Sequence, residues 1–191
     1  MPGLYEEVVQ RRLGCRTPAR VAGMLARAAA GLGRAPADVR VLDAGAGNGV
    51  SGEALAAAGM RPVMGLDILP AARAAALRDR PGVYGDYLAA DLCDLRAEDE
   101  RAIRAAAPNA LACIGSVGGD HMPPPAVASA LALLAPQPLL AYAYDVERFE
   151  DPLRALPAVS GGRELARERA LHRRTVTGGE RFWEAVVVLL A

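Results

Sequence analysis

Short apolar runs alternate along this chain with longer alanine-rich stretches whose apolar positions recur at helical spacing. The runs at Arg40–Ala44, Pro62–Asp67, Ala110–Gly115 and Leu139–Tyr144, and a further one within Tyr84–Asp91, predict strands buried on both faces. Between them Ser51–Ala58, Ala71–Arg78, Ala97–Ala106 and Ala126–Leu134 predict helices. Ahead of the first strand, Thr17 reads as an N-cap and Pro18 as the first helical residue of a segment stopped by Gly31-Leu32-Gly33. Tyr5–Leu13 predicts a shorter amphipathic helix before it. The end of the chain differs. Leu165–Thr177 is rich in Arg and Glu, Gly178-Gly179 follows, and Phe182–Leu190 is strongly β-forming, which predicts an antiparallel hairpin. Strands alternating with helices predict an α/β, three-layer α-β-α sandwich: five parallel strands closed by that hairpin. Neither an internal repeat nor a linker interrupts it. The expected organisation is one domain over residues 1–191: N-terminal helices in 1–36 that could close as a lid, a core over 38–145, and the hairpin over 163–191.

Composition narrows the chemistry. With 191 residues, 52% of them hydrophobic and 23% charged, the chain can bury a substantial core. Its formal net charge is zero, so no global field draws it to nucleic acid or to an acidic membrane. All 22 basic residues are Arg, which fits a GC-rich genome of bacterial type. Without Lys there is no Schiff-base lysine and no P-loop lysine. Cys15, Cys93 and Cys113 form no CxxC pair and read as buried free thiols; with only His121 and His172 beside them, no metal site is expected. Residues 1–12 lack the apolar core of a signal peptide, and the run Ala185–Ala191 is too short to span a bilayer. The expectation is a cytoplasmic protein, monomer or homodimer, with a small-molecule partner and neither nucleic acid nor membrane.

The densest signal is Val41-Leu42-Asp43-Ala44-Gly45-Ala46-Gly47-Asn48-Gly49-Val50-Ser51-Gly52, where a strand ends in an acid and enters a glycine-rich turn before a helix. Glycines let a backbone approach a ligand closely, and the helix aims unpaired N–H groups at the turn. Asp67 ends the second strand, 24 residues after Asp43, where an acid either accepts ribose hydroxyls or opens the helix before Pro70. Asp91-Leu92 ends the third, where an acid can meet an adenine amine and Leu92 the ring, or the acid can simply face solvent. Two cofactor classes fit. Gly47 to Gly52 matches the G-x-G-x-x-G of dinucleotide sites. That pattern, however, starts four residues late, and Asp43 has the wrong charge for a pyrophosphate. S-adenosylmethionine (SAM) carries a sulfonium and an ammonium and no phosphate, so charge complementarity favours it.

The first of these stretches resembles the opening motif of class I SAM-dependent methyltransferases. Gly65-Leu66-Asp67-Ile68 is similar to their second motif, and Ala90-Asp91-Leu92 to their third. The resemblance covers residues 38–145 and implies a mostly parallel seven-stranded sheet whose last strand is antiparallel. It implies that Asp43, Gly45 and Gly47 line the methionine end, Asp67 the ribose, and Asp91 with Leu92 the adenine, with Ile68 of the second motif also in the cofactor-binding set. Gly115, closing the fourth strand, joins the cofactor-binding set. Arg12 to Pro18, and the tail from His172-Arg173-Arg174 to Thr177-Gly178, resemble a subgroup of small methyltransferase-like proteins of undefined substrate. Two positions depart from the general pattern: Asn109 stands where an acid usually opens strand four, and Ala135-Pro136-Gln137-Pro138 replaces a Pro-Gly-Gly turn.

Methyl transfer is an in-line displacement that draws mostly on alignment, with a base only where the acceptor must lose a proton. The loop Gly115 to Met122 contains the candidate base His121, with Asp120 beside it. The alternative for both is to begin the Pro-led helix in solvent. No Asn-Pro-Pro-Tyr follows strand four, which argues against amino-methylation of nucleic-acid bases. Arg163, Arg167, Arg169, Arg173, Arg174 and Arg181, interleaved with Glu164, Glu168 and Glu180, read as a solvated edge strand or as an anion-binding surface. Tyr142 and Tyr144 share one face of their strand and read as packing residues. The expected function is methyl transfer to a small molecule. An NAD(P)-dependent oxidoreductase and a non-catalytic SAM- or S-adenosylhomocysteine-binding regulator are the alternatives, the former lacking any Tyr-x-x-x-Lys pair.

Overall fold

A computed structural model describes residues 12–119 and 121–191, together with Val8. The helix expected over Tyr5–Leu13, and Asp120, fall essentially outside that description. The strands are β1 (Arg40–Ala44), β2 (Arg61–Asp67), β3 (Asp86–Ala89), β4 (Ala110–Ile114), β5 (Leu139–Asp145), β6 (Arg163–Arg174) and β7 (Glu180–Leu189). They form one seven-stranded sheet in the order β3-β2-β1-β4-β5-β7-β6. β1 to β5 pair in parallel, and β7 runs antiparallel to both β5 and β6. The hairpin folds back so that its second strand docks on β5. Val186, Val187 and Val188 of β7 are buried, whereas β6 carries the charges. β6 is therefore the edge, and two irregularities in its pairing blunt it further.

Among the described residues six α-helices flank the sheet: α1 (Thr17–Gly31), α2 (Val50–Ala57), α3 (Pro70–Asp79), α4 (Ala97–Ala106), α5 (Pro124–Leu131) and the short α6 (Pro157–Ser160). α3 and α5 begin on the prolines rather than after them, because proline's fixed φ suits a first turn that needs no N–H partner. Alternate strand residues divide the core in two. Val41, Ala110, Ala112, Leu139, Ala141 and Val187 pack against α1 and α2. Leu42, Leu111, Cys113, Leu140, Tyr142 and Val186 pack with Ile103 of α4 and Val127 of α5. Among the described residues no helix is long and apolar enough to cross a membrane.

Two readings change, and one departure gains a reason. Arg16, not Thr17, occupies the N-cap of α1, which has no side-chain cap. The Thr17 hydroxyl instead lies 2.7 Å from Nδ1 of His172 on β6. Cys93 is exposed and Cys15 half-buried, leaving Cys113 as the buried thiol. Asn109 sits at the amino edge of the sheet, where its Oδ1 accepts the Arg40 N–H at 2.8 Å and its Nδ2 donates to the Asp38 carbonyl at 2.9 Å. An acid could make only the first of those bonds.

Candidate functional site

Strand order reverses between β1 and β4, and their carboxyl ends part there to leave a cleft of about 370 Å³. Gly45 follows β1 directly, at φ 73°, and its N–H and that of Ala46 both donate to the Leu66 carbonyl, at 2.8 and 3.0 Å. A Cβ on Gly45 would come within 2.2 Å of the Ser116 Cβ. Ser116 cannot easily yield, since its hydroxyl donates to the Ala44 carbonyl at 2.8 Å and its own carbonyl accepts the Met122 N–H at 2.9 Å. The turn after β1 and the loop after β4 thus meet backbone to side chain at the cleft floor.

Gly45, Asp67, Ile68, Asp91, Leu92, Gly115 and His121 all line this cleft, brought together from four strand ends. Asp67 spans the turn: its Oδ2 accepts the Gly47 N–H and its Oδ1 the Leu69 N–H, both at 3.0 Å. Asp91 accepts the Cys93 N–H at 2.8 Å and remains exposed, while Leu92 is buried behind it. Ile68 and Leu69 are 61% and 59% exposed at the rim, an apolar lip left uncovered by the described residues. His121 is exposed on the far wall beside Met122. The described lining includes two carboxylates and no arginine.

Asp43 and Gly47 stand outside that lining. Asp43 is fully buried under the turn, on the α2 side of β1. Its Oδ2 accepts hydrogen bonds from Ser51 at 2.5 Å and from Tyr84 at 2.6 Å. Its Oδ1 has no partner among the described residues. Burial pushes the Asp43 carboxyl up to about 6; the two hydroxyls pull it down, and the charge of Asp67 adds to the rise. Burial and the Asp43 charge together push the Tyr84 phenol far above its ordinary value, so it stays a donor.

Sequence reasoning missed this support. Tyr84, from the connection between α3 and β3, and Tyr87, on β3 itself, meet edge to face, ring centroids 5.5 Å apart. Tyr84 accepts the Gly52 N–H at 3.2 Å, Tyr87 donates to the Gly47 carbonyl at 2.7 Å, and Arg80 donates to the Asn48 carbonyl at 3.1 Å. The rings occupy space where Gly52 and Gly65 lack side chains. A Cβ there would lie 2.4 Å from Tyr84 and 2.7 Å from Tyr87, respectively. The signal available in the sequence was the pair of glycines, one in α2 and one in β2, at positions where neither a turn nor a helix stop requires them.

Two polar clusters lie farther along the sheet. At its carboxyl edge His172 stacks on Trp183, centroids 3.8 Å apart at 9°, and Trp183 underlies Gly115. Burial, helped by Arg173 and opposed by Asp145, pulls His172 down to about 4. Over β5, β7 and β6 a cavity of about 980 Å³ is lined by Tyr142, Tyr144 and the Arg167 cluster. Arg167 bridges Glu184 at 2.5 Å, Glu164 at 2.8 Å and Asp151 at 3.2 Å, and the Tyr144 hydroxyl donates to Glu184.

Solved structures share this fold. The N-methyltransferase NodS from Bradyrhizobium japonicum WM9, in complex with S-adenosylhomocysteine (SAH), superposes with a TM-score of 0.63 at 13% identity, over 96% of this chain and 97% of that one. CalS10, a SAM-bound amino pentose methyltransferase from Micromonospora echinaspora, gives 0.56 at 23% identity, over 98% and 82%. The 1,6-didemethyltoxoflavin-N1-methyltransferase of Burkholderia thailandensis gives 0.60 at 19% identity, over 91% and 78%. The fold is that of the class I SAM-dependent methyltransferases. No protein-family model and no curated protein sequence matches the chain. Within the methyltransferase fold the cleft lies at the strand-order switch, with the glycine turn after β1 on one wall and the His121 loop after β4 on the other.

Proposed function

We propose that this chain is a SAM-dependent methyltransferase acting on a small molecule. The observation that carries the reading is the charge of the cleft: Asp67 and Asp91 line it, and among its described residues no cation does. Behind it, the N-terminus of α2 is already answered by a carboxylate, because the Gly52 N–H reaches Asp43 through the Tyr84 hydroxyl. A helix start spent on an internal acid has little to offer a pyrophosphate. It suits a ligand with cationic groups and a ribose.

The residues present fit SAM. Asp67 would hold the ribose hydroxyls, its two oxygens retaining capacity beyond the turn amides they accept. Ile68 and Leu92 would enclose the adenine, with Asp91 accepting from its exocyclic amine. Gly45 and Gly115 would let the backbone approach the methionine end, and the buried orphan oxygen of Asp43 marks a carboxylate whose charge favours a cation nearby. When bound, SAM supplies an activated methyl group. The chain's part is alignment and exclusion of water, and His121, exposed on the opposite wall, would accept a proton where the acceptor must lose one.

The toxoflavin and amino pentose enzymes act on small molecules, which, with the neutral net charge, supports that acceptor class. The start of α1 would flank the acceptor: the Arg174 N–H donates to the Leu13 carbonyl at 2.7 Å, tying the residues just ahead of α1 to the carboxyl end of β6. Calorimetric titration with SAM and SAH, with NADH and NADPH as comparators, tests the reading. Micromolar binding of the adenosyl sulfur ligands alone is expected; binding of the nicotinamide ligands instead would overturn it.

A further inference from the structure

We propose that Tyr84 is a positioning residue for the cofactor turn, its hydroxyl joining the first turn of α2 to Asp43 and fixing that carboxylate with one oxygen doubly bound and the other bare. The inference rests on reading the cleft as a SAM site. α2 has no side-chain cap of its own, and its N-cap, Gly49, has nothing to offer as one. The Gly52 N–H would be an orphan donor of the first turn; Tyr84, 32 residues away, accepts it. The same hydroxyl donates a hydrogen bond to Asp43 at 2.6 Å. Ser51 donates to the same oxygen from within α2.

Two donors on one oxygen are what keep a fully buried carboxylate charged. The other groups facing Asp43 work against that charge or leave it unchanged. Asp67 repels it from the end of β2. From β4, the buried Cys113 thiol feels its field and is pushed well above the ordinary thiol range, chiefly by burial and then by Asp43. Tyr87, raised by burial, Asp67 and Asp43, stays neutral beside it. Tyr84 is thus the tuning contact that comes from outside β1 and α2, and it is seated by the missing side chains of Gly52 and Gly65.

The test is SAH affinity against pH, by calorimetry, in the wild type, Tyr84→Phe, Ser51→Ala and Asp43→Asn, each first checked for a cooperative thermal transition. In the wild type, affinity should fall as pH drops through about 6, where Asp43 takes up its proton. Tyr84→Phe keeps the ring and removes the donor, so this acid limb should move up by roughly one to two pH units, a tenfold to hundredfold change in proton affinity. Ser51→Ala, which leaves the tyrosine untouched, should move it the same way. Asp43→Asn should abolish it, which separates Asp43 from Asp67 and His121 at the cleft surface. An unmoved limb in Tyr84→Phe, with the wild type binding SAH, overturns the role of Tyr84 and leaves the site standing. Failure of the wild type to bind SAH at any pH overturns the site itself.

Discussion

Gly45 and Gly47 belong to one motif and both have positive φ, 73° and 54°, yet alanine should affect them very differently. At Gly47 a Cβ meets nothing within 4 Å. Gly47→Ala therefore costs only the left-handed strain, about 1–2 kcal/mol, or a fall in Tm of roughly 2–8 °C for a chain of this size. At Gly45 the same strain is joined by a Cβ 2.2 Å from the Ser116 Cβ and 2.8 Å from its Oγ. Ser116 must move, which overpacks a buried site and breaks its bond to the Ala44 carbonyl. The total is about 3–6 kcal/mol, a large part of the stability of an ordinary domain. Urea unfolding at constant m-value reads both. Ser116→Gly supplies the internal control. In that background the nearest atom to the new Cβ is the Met122 methyl at 3.5 Å, so Gly45→Ala should fall back to the cost of strain alone. Equal destabilisation by the two alanines, or no rescue by Ser116→Gly, would refute the close approach of turn and loop.

Asp67→Ala should weaken SAM binding by about 1–3 kcal/mol, the effect of removing the acceptor of buried hydroxyls; unchanged affinity in a folded variant would remove the ribose assignment. His172 makes the fold pH-sensitive in a defined window. Its folded value is near 4 and its ordinary value 6.5, so below about 6.5 the unfolded chain takes up a proton that the folded one refuses. Stability from this group is complete above that pH and declines toward 4, by on the order of 3 kcal/mol; His172→Gln should flatten the Tm profile there. Arg167→Met leaves Asp151, Glu164 and Glu184 facing one another and should destabilise by about 1–3 kcal/mol, discounted for the guanidinium's contact with solvent. A chemical unfolding midpoint equal to that of wild type would show the cluster to be energetically idle.

What could be read from the chain in advance followed from local chemistry. β1 and α4 run over the expected residues because strand and helix patterns are bounded there by clear breakers, and the cleft acids Asp67 and Asp91 were visible because they stand at strand ends. Long-range contacts were not visible. Thr17 has the chemistry of a cap, but its hydroxyl answers His172 across 155 residues. Tyr84 meets Asp43 across 41 residues, from a connection with no motif of its own. Asp43 itself, the leading acid of the motif, lies beneath the turn rather than in the cleft lining, because strand alternation turns it toward α2 while Leu42 and Ala44 face the other layer.

The stacked pair at the carboxyl edge has an optical consequence. Trp183 is the chain's one indole, wedged between the His172 ring and the backbone of Gly115. Its fluorescence therefore comes from a single position that touches the cleft on one side and, through His172 and Thr17, the start of α1 on the other. Ligand entry and any movement of the leading segment should each change that emission, which gives a stopped-flow experiment a label-free view of both events and their order.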